Sequence, residues 1–438
     1  MSPRPLCIGL SLATTWLGGD GWRRPDSRVE DIHTPGFYAG IARSAEDARL
    51  DFLFRPDALC VDPQALAGGP GFSSLDPAVL LAALATATSR IGLVATASTT
   101  FGAPWTVARQ LLSLHHVSGG RAGWNIVTSL DGNRNFGMAA MPDSRERYAR
   151  ALEFTAVVRR LWDSYPHDAL QLDRTTGRYA DPARIRPIDH TGPAFDVQGP
   201  LNLPSLPCGP PPLFQAGASD CGRDFAARVA DGVFAASPDI AAGIELREDL
   251  RRRAVAHGRA ADAIRVLPGL SLFLGETADE ARDLYRATHA RQDRARGLAR
   301  LQALLGLDAA ALAPERRVTP DMLADAARPV GSRTHADLLH RFVARERPTV
   351  RDLLARPEVA GSGHWRVVGT PRDAVREIAE RVDAGAADGL IALPGGSHRS
   401  LALFLDEVVP ALVERGRFRR DYAGTTLRAH LEPDRAAA

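Results

Sequence analysis

The sequence predicts an α/β fold, a closed (β/α)8 TIM barrel carrying several insertions. Three observations support this. Strand-like and helix-like patterns alternate along the chain, and eight strand candidates can be placed. The 438 residues also exceed the roughly 250 of a bare barrel by enough to hold sizeable insertions.

The first strand, 7–12, is a short apolar run that lacks a small-residue cleavage pattern and leads into Thr14-Thr15-Trp16, so it reads as core rather than as a signal peptide. The others are 52–54, 91–96, 124–127, 213–215, 232–235, 266–274 and 389–393. Helix starts are legible between them. Asp76-Pro77 opens 78–87, Pro104 sits in the first turn of the helix that carries Val107, Leu111 and Leu114, Asp143 with Glu146 opens 147–162, and Thr370, Pro371 and Asp373 open a helix running to 384. Three stretches break the rhythm: 18–35, the Pro- and Gly-rich 166–212, and the Arg-rich 282–361. The chain 1–438 is read as one domain with these insertions, 166–212 is expected to shape the substrate site, and the terminal Ala436-Ala437-Ala438 is expected to be loose.

An apolar fraction of 45% and a charged fraction of 24% describe an ordinary soluble protein. A net charge of +2 gives no reason to expect nucleic acid or an anionic membrane as partner. No run approaches the roughly 18 apolar residues of a membrane span. There is no lysine, so all 54 basic residues are arginine, which excludes Schiff-base aldolases, pyridoxal-phosphate enzymes and Walker-type phosphate loops. Cys7, Cys60, Cys208 and Cys221 lie far apart, as expected of a reducing cytoplasm.

The most informative segment is Ser118-Gly119-Gly120-Arg121-Ala122-Gly123-Trp124-Asn125-Ile126-Val127-Thr128-Ser129, where a helix stop leads into a buried strand ending in amide and hydroxyl groups. In a parallel barrel that end carries the chemistry. A second such segment, 213–222, joins a strand through Ala216-Gly217-Ala218-Ser219 to a helix with Phe225 and Val229 on its inner face. Small residues and free N–H groups at a helix start suit a phosphate, although from the local sequence alone a helix cap by Ser219 or Asp220 is the better reading. Tyr148, flanked by Arg147 and Arg150, offers a phenol to the same kind of oxygen. Thr96 and Asp57 close two further strands, and Arg55 is a candidate ion-pair partner for Asp57. His115 and His116 are adjacent on a helix and cannot face one metal together, while His190, His364 and His398 fall at loops or element ends. With no His-Glu-x-x-His, Gly-x-Ser-x-Gly or dinucleotide fingerprint, a metal hydrolase, an acyl-transfer enzyme and a nicotinamide enzyme are all poorly supported.

These segments, together with Leu50-Asp51-Phe52-Leu53-Phe54, Arg134-Asn135-Phe136-Gly137, Leu161-Trp162-Asp163-Ser164, Gly199-Pro200-Leu201-Asn202 and Tyr422-Ala423-Gly424-Thr425-Thr426-Leu427, carry a resemblance. The chain resembles the flavin-dependent monooxygenases of the bacterial-luciferase-like superfamily, in the branch of nitrilotriacetate, dibenzothiophene-sulfone and long-chain-alkane monooxygenases. The resemblance implies reduced flavin mononucleotide (FMNH2) and O2 as co-substrates, a separate NAD(P)H:flavin reductase, a small organic substrate, and a cytoplasmic homodimer or homotetramer. It also implies flavin contacts: Tyr148, Ala218 and Ser219 at the phosphate, Asn125 and Ser129 along the polar ring edge, and Asp57 and Thr96 near the ring. Ser144 stands where the family usually has histidine, and Arg55-Pro56 where it usually has alanine before the acid. A same-fold deazaflavin (F420) oxidoreductase and a non-catalytic flavin-binding protein are the alternatives of related kind.

Overall fold

In the computed structural model, which describes residues 5–432 apart from 291–293, 327, 329, 331 and 396, nine parallel strands form one sheet. The terminal alanines 436–438 lie outside the described residues. The strands are β1 (Cys7–Ser11), β2 (Phe52–Arg55), β3 (Gly92–Ser98), β4 (Ala122–Val127), β5 (Leu213–Gln215), β6 (Gly232–Ala235), β7 (Arg265–Leu274), β8 (Trp365–Gly369) and β9 (Gly389–Pro394). Eight of them close a ring in the order β1-β2-β3-β4-β5-β6-β7-β9. Cys7 stands opposite Gly389 at one seam and Gly232 opposite Arg265 at another. The expected (β/α)8 barrel is the fold, and its strands are nearly continuous apolar runs because both faces of a parallel sheet are covered.

The ninth strand, β8, was not foreseen. It extends the sheet outside the ring by a change of partner along β7. Arg265 to Pro268 pair with β6, whereas Leu270 to Leu274 pair with β8. Only Gly269 separates the two pairings along β7.

The covering helices are α1 (Pro35–Asp47), α2 (Pro77–Ala87), α3 (Pro104–Val117), α4 (Ser144–Asp163), α5 (Asp220–Val229), α6 (Ile240–Ala256), α7 (Ala278–Thr288), α8 (Arg294–Leu305), α9 (Arg333–Glu346) and α10 (Pro371–Asp383). Several begin where the cap residues place them. Asp76 accepts the Val79 N–H, Asp143 the Glu146 N–H, and Thr370 and Asp373 form a reciprocal box.

Inside the ring, Phe52, Phe54, Val94, Phe214 and Leu267 pack together with Leu427 and Leu431 of a short terminal helix, α11 (Leu427–Leu431). That helix plugs the end at which the strands begin. Gly92 and Gly123 make room for it, since a Cβ on either would stand 2.6 or 2.7 Å from the Leu427 side chain. The insertion 166–212 folds as two short hairpins pinned to α3 and α4. The His115 and His116 rings each meet a backbone carbonyl, Gly209 at 3.0 Å and Pro204 at 2.7 Å, and the Glu153 carboxylate accepts from the Ala194 and Phe195 N–H groups. Within 282–361, α8 and α9 build a hydrophobic cluster of their own around Leu301, Leu305, Leu339 and Val343.

Candidate active site

At the carboxyl ends of the strands lies a cavity of about 880 Å³, within the range of roughly 300–1,000 Å³ usual for small-molecule sites. Asp57, Thr96, Ser129, Ser144, Tyr148, Ala218 and Ser219 all line it, although they come from five separate stretches of chain. Asn125, the eighth position singled out from the sequence, lies just beneath them. It is 2% exposed, and its Nδ2 donates to Thr96 Oγ1 at 2.9 Å, while Thr96 Oγ1 donates to the Arg55 carbonyl at 2.7 Å. This relay ties β2, β3 and β4 together at the cavity floor. Asn125 Oδ1 is left buried with no protein donor.

One corner is built from backbone. Ser219 caps α5, its Oγ accepting the Gly222 N–H at 3.3 Å, and it also lines the cavity. Asp220 turns away to Arg253, 2.6 Å distant. The turn ahead of the helix is held by Arg223, whose Nε donates to the Ala218 carbonyl at 3.0 Å while its guanidinium pairs with Glu245 and Asp249 on α6. Above the turn, Tyr148 Oη accepts from Gln215 Nε2 at 3.3 Å. Gly217 and Gly222 let the hydroxyl approach the turn this closely: a Cβ on Gly217 would fall 2.2 Å from the Tyr148 hydroxyl, and one on Gly222 2.7 Å from it. Gln215, whose Oε1 is another buried acceptor without a partner, ends β5 and lines the cavity, a site residue the sequence reading did not single out.

Burial raises the pKa of Asp57, an effect only partly offset by the Ala58 backbone. Arg55 is not its ion-pair partner. The guanidinium is buried beneath the sheet, donates to the Leu12 carbonyl and stacks over Tyr38 at 5.3 Å, because a strand's alternation sends residue 55 to the face opposite Phe54. The outer wall departs from expectation too. No residue of 166–212 lines the cavity, since the hairpins are pinned behind α3 and α4. The wall comes from the third insertion and its exit, with Ser332, Thr334, His335, Ser362 and His364. Among the described residues no group of three or more His, Cys, Asp or Glu is arranged to hold a metal ion, and no helix is long and apolar enough to cross a membrane.

Comparisons with known proteins place the chain in a family. A family model described as luciferase-like monooxygenase covers residues 22–388. The chain belongs to the luciferase-like monooxygenase family. It is 39% identical over 424 residues to nitrilotriacetate monooxygenase component A of Aminobacter aminovorans, covering 94% of this chain and 92% of the relative. Identity to the N-acetyl-S-(2-succino)cysteine monooxygenase of Bacillus subtilis (strain 168) is 36% over 428 residues, covering 97% and 96%. A crystal structure of a riboflavin lyase with modified FMN and substrate riboflavin superposes with a TM-score of 0.81 at 32% identity, covering 98% of this chain and 96% of that one. The chain is thus a flavin-dependent monooxygenase built on a TIM barrel.

Proposed function

We propose that this monooxygenase takes reduced flavin mononucleotide and O2 as co-substrates, receives the flavin from a separate reductase, and places one oxygen atom on a small organic molecule, residues 1–438 acting as one domain. The observation that carries the reading is the corner at Tyr148, Gly217, Ser219 and Gly222. The hydroxyl of Tyr148 packs against this turn at the start of α5, so close that a Cβ on Gly217 or Gly222 would meet it, and Tyr148 and Ser219 line the same cavity. The residues fit the cofactor on a second count: Asn125 Oδ1 and Gln215 Oε1 are buried acceptors suited to the N–H and hydroxyl groups of a flavin. The name "component A" borne by the nitrilotriacetate relative agrees with reductant supplied by another polypeptide.

When bound, reduced flavin supplies the electrons and activates oxygen. The chain's part is to bind, orient and keep dry. Tyr148 and Ser219 grip the phosphate, Arg223 stiffens the turn beneath it, and the Thr96–Asn125 relay presents an oriented amide to the ring edge. Ile126, Phe234 and Val330 give the cavity apolar wall that excludes water. No side-chain nucleophile is required.

The test is an anaerobic titration of the protein with photoreduced flavin mononucleotide. Tyr148→Phe and Ser219→Ala should each weaken binding by about 1.5–3 kcal/mol, the worth of a charge-assisted hydrogen bond. Wild-type affinity in both variants would reject the phosphate corner.

A further inference from the structure

Two walls of the cavity are joined through one carboxylate. Arg223 is buried behind the phosphate corner and is not among the residues that line the cavity. Its Nε donates to the Ala218 carbonyl at 3.0 Å, and its Nη1 and Nη2 donate to the two oxygens of Glu245 at 2.6 and 3.1 Å. Asp249 lies 3.0 Å from the same Nη1. A planar guanidinium held on both Nη atoms has little freedom, so the position of Glu245 sets that of Nε. In a trans peptide the C=O and the next N–H point opposite ways. With the Ala218 carbonyl drawn toward Arg223, the Ser219 N–H is turned away from that side chain, and Ala218 and Ser219 line the cavity while Arg223 does not. A flipped peptide would present a carbonyl oxygen there instead.

Glu245 carries a second arginine. Its Oε2 lies 3.1 Å from Nη1 of Arg341 on α9, the helix whose cap and first turn, Ser332, Arg333, Thr334 and His335, form much of the outer wall. Burial raises the pKa of Asp337, one turn before Arg341, and Arg223 is among the charges that oppose the rise, so α9 lies within the field of Arg223. One turn beyond Arg341, Arg345 reaches α6 as well, but at Asp239, the α6 cap, which pairs with Arg356.

We propose that Glu245 is a positioning residue shared by the cofactor turn and the substrate wall. Through Arg223 it holds the Ala218–Ser219 peptide with its N–H toward the flavin phosphate, and through Arg341 it couples occupation of that corner to the seating of α9. This rests on the flavin reading above. An amide cannot replace the carboxylate, because its NH2 group would face one guanidinium or the other. The coupling is reciprocal, so whatever steadies α9 tightens the phosphate corner by the same factor.

The experiment titrates the full chain anaerobically with photoreduced flavin mononucleotide and with photoreduced riboflavin, which lacks the phosphate, and follows amide hydrogen exchange in α9. Glu245→Gln should raise the dissociation constant for reduced flavin mononucleotide at least fivefold and that for reduced riboflavin less than twofold, a difference that a general loss of packing would not produce. In wild type, saturating reduced flavin mononucleotide should slow exchange in α9 at least threefold. Glu245→Gln and Arg341→Gln should both lose that slowing, whereas Arg345→Gln, which cuts the joint that bypasses Arg223, should keep it. Thermal unfolding checks each fold, and Arg341→Gln, at a side chain 46% exposed, decides the matter if Glu245→Gln does not fold. Equal weakening of both flavins or unchanged affinity in Glu245→Gln, slowing that persists in Arg341→Gln or vanishes in Arg345→Gln, or wild-type α9 exchange indifferent to the flavin overturns the proposal. Wild type that binds reduced riboflavin as tightly as reduced flavin mononucleotide, or binds neither, overturns the underlying reading instead.

Discussion

Gly217→Ala is expected to weaken reduced-flavin binding by about a hundredfold or more while leaving the fold intact. The added methyl group would lie 2.2 Å from the Tyr148 hydroxyl and 2.4 Å from Gln215 Nε2, so both side chains must move. Moving them withdraws the phenol from the phosphate corner and fills part of the space the phosphate needs. Losing the phenol's charge-assisted hydrogen bond would amount to roughly 1.5–3 kcal/mol, and displacing Gln215 adds the loss of a second contact. Gly36→Ala is the control, because nothing lies within 4 Å of a Cβ there. Anaerobic titration reads the affinity and a thermal melt reads stability. Equal affinity in Gly217→Ala and Gly36→Ala would remove the corner from the mechanism.

Arg419→Ala should produce the largest loss of stability, about 3–5 kcal/mol, typical of a buried ion pair stripped of one member. Asp51 is completely buried; its Oδ2 accepts the Ile8 N–H at 2.7 Å and its other oxygen meets Arg419, which also donates to the His430 carbonyl at 3.1 Å. One guanidinium thus fastens the terminal plug to the first two strands. Shifted denaturation midpoints report the loss, and in an Asp51→Asn background the same substitution should cost much less. Burial outweighs the arginine at Asp51 and raises its pKa to about 6. The folded state therefore binds the proton more tightly than the unfolded chain, whose aspartate titrates near 4. This favours the fold most at low pH, and the contribution fades as pH rises from about 4 through 6, a change of roughly 3 kcal/mol. Asp51→Asn should flatten that part of the stability–pH curve; an unaltered slope would assign it to other groups.

Seven positions chosen from strand ends and helix starts meet around one cavity because the rule that placed them is local. A parallel strand's carboxyl end and the following helix start are neighbours in sequence, so Thr96, Ser129, Ala218 and Ser219 could be located from the chain alone. Asn125 shows where this reading loses precision. Its strand position was legible, but its place one layer below Thr96 depends on register between β3 and β4, in which Thr96 stands opposite Asn125. Arg55 shows the same limit, since its side chain turns to Leu12 and Tyr38 instead of pairing directly with Asp57.

Alternation of pattern, cap residues and glycines thus settle the architecture and the polar rim at the strand ends, because each depends on contacts within a few residues, while composition alone rules out lysine chemistry. The outer wall, the ninth strand, the packing of His364 and the terminal plug arise from pairings between residues far apart in the chain. Leu427 meets Gly92 and Gly123, Asp51 meets Arg419, and His364 meets Gly269 and Phe234. Such contacts leave no periodic trace in the sequence, for they are chosen by shape and burial once the barrel has closed.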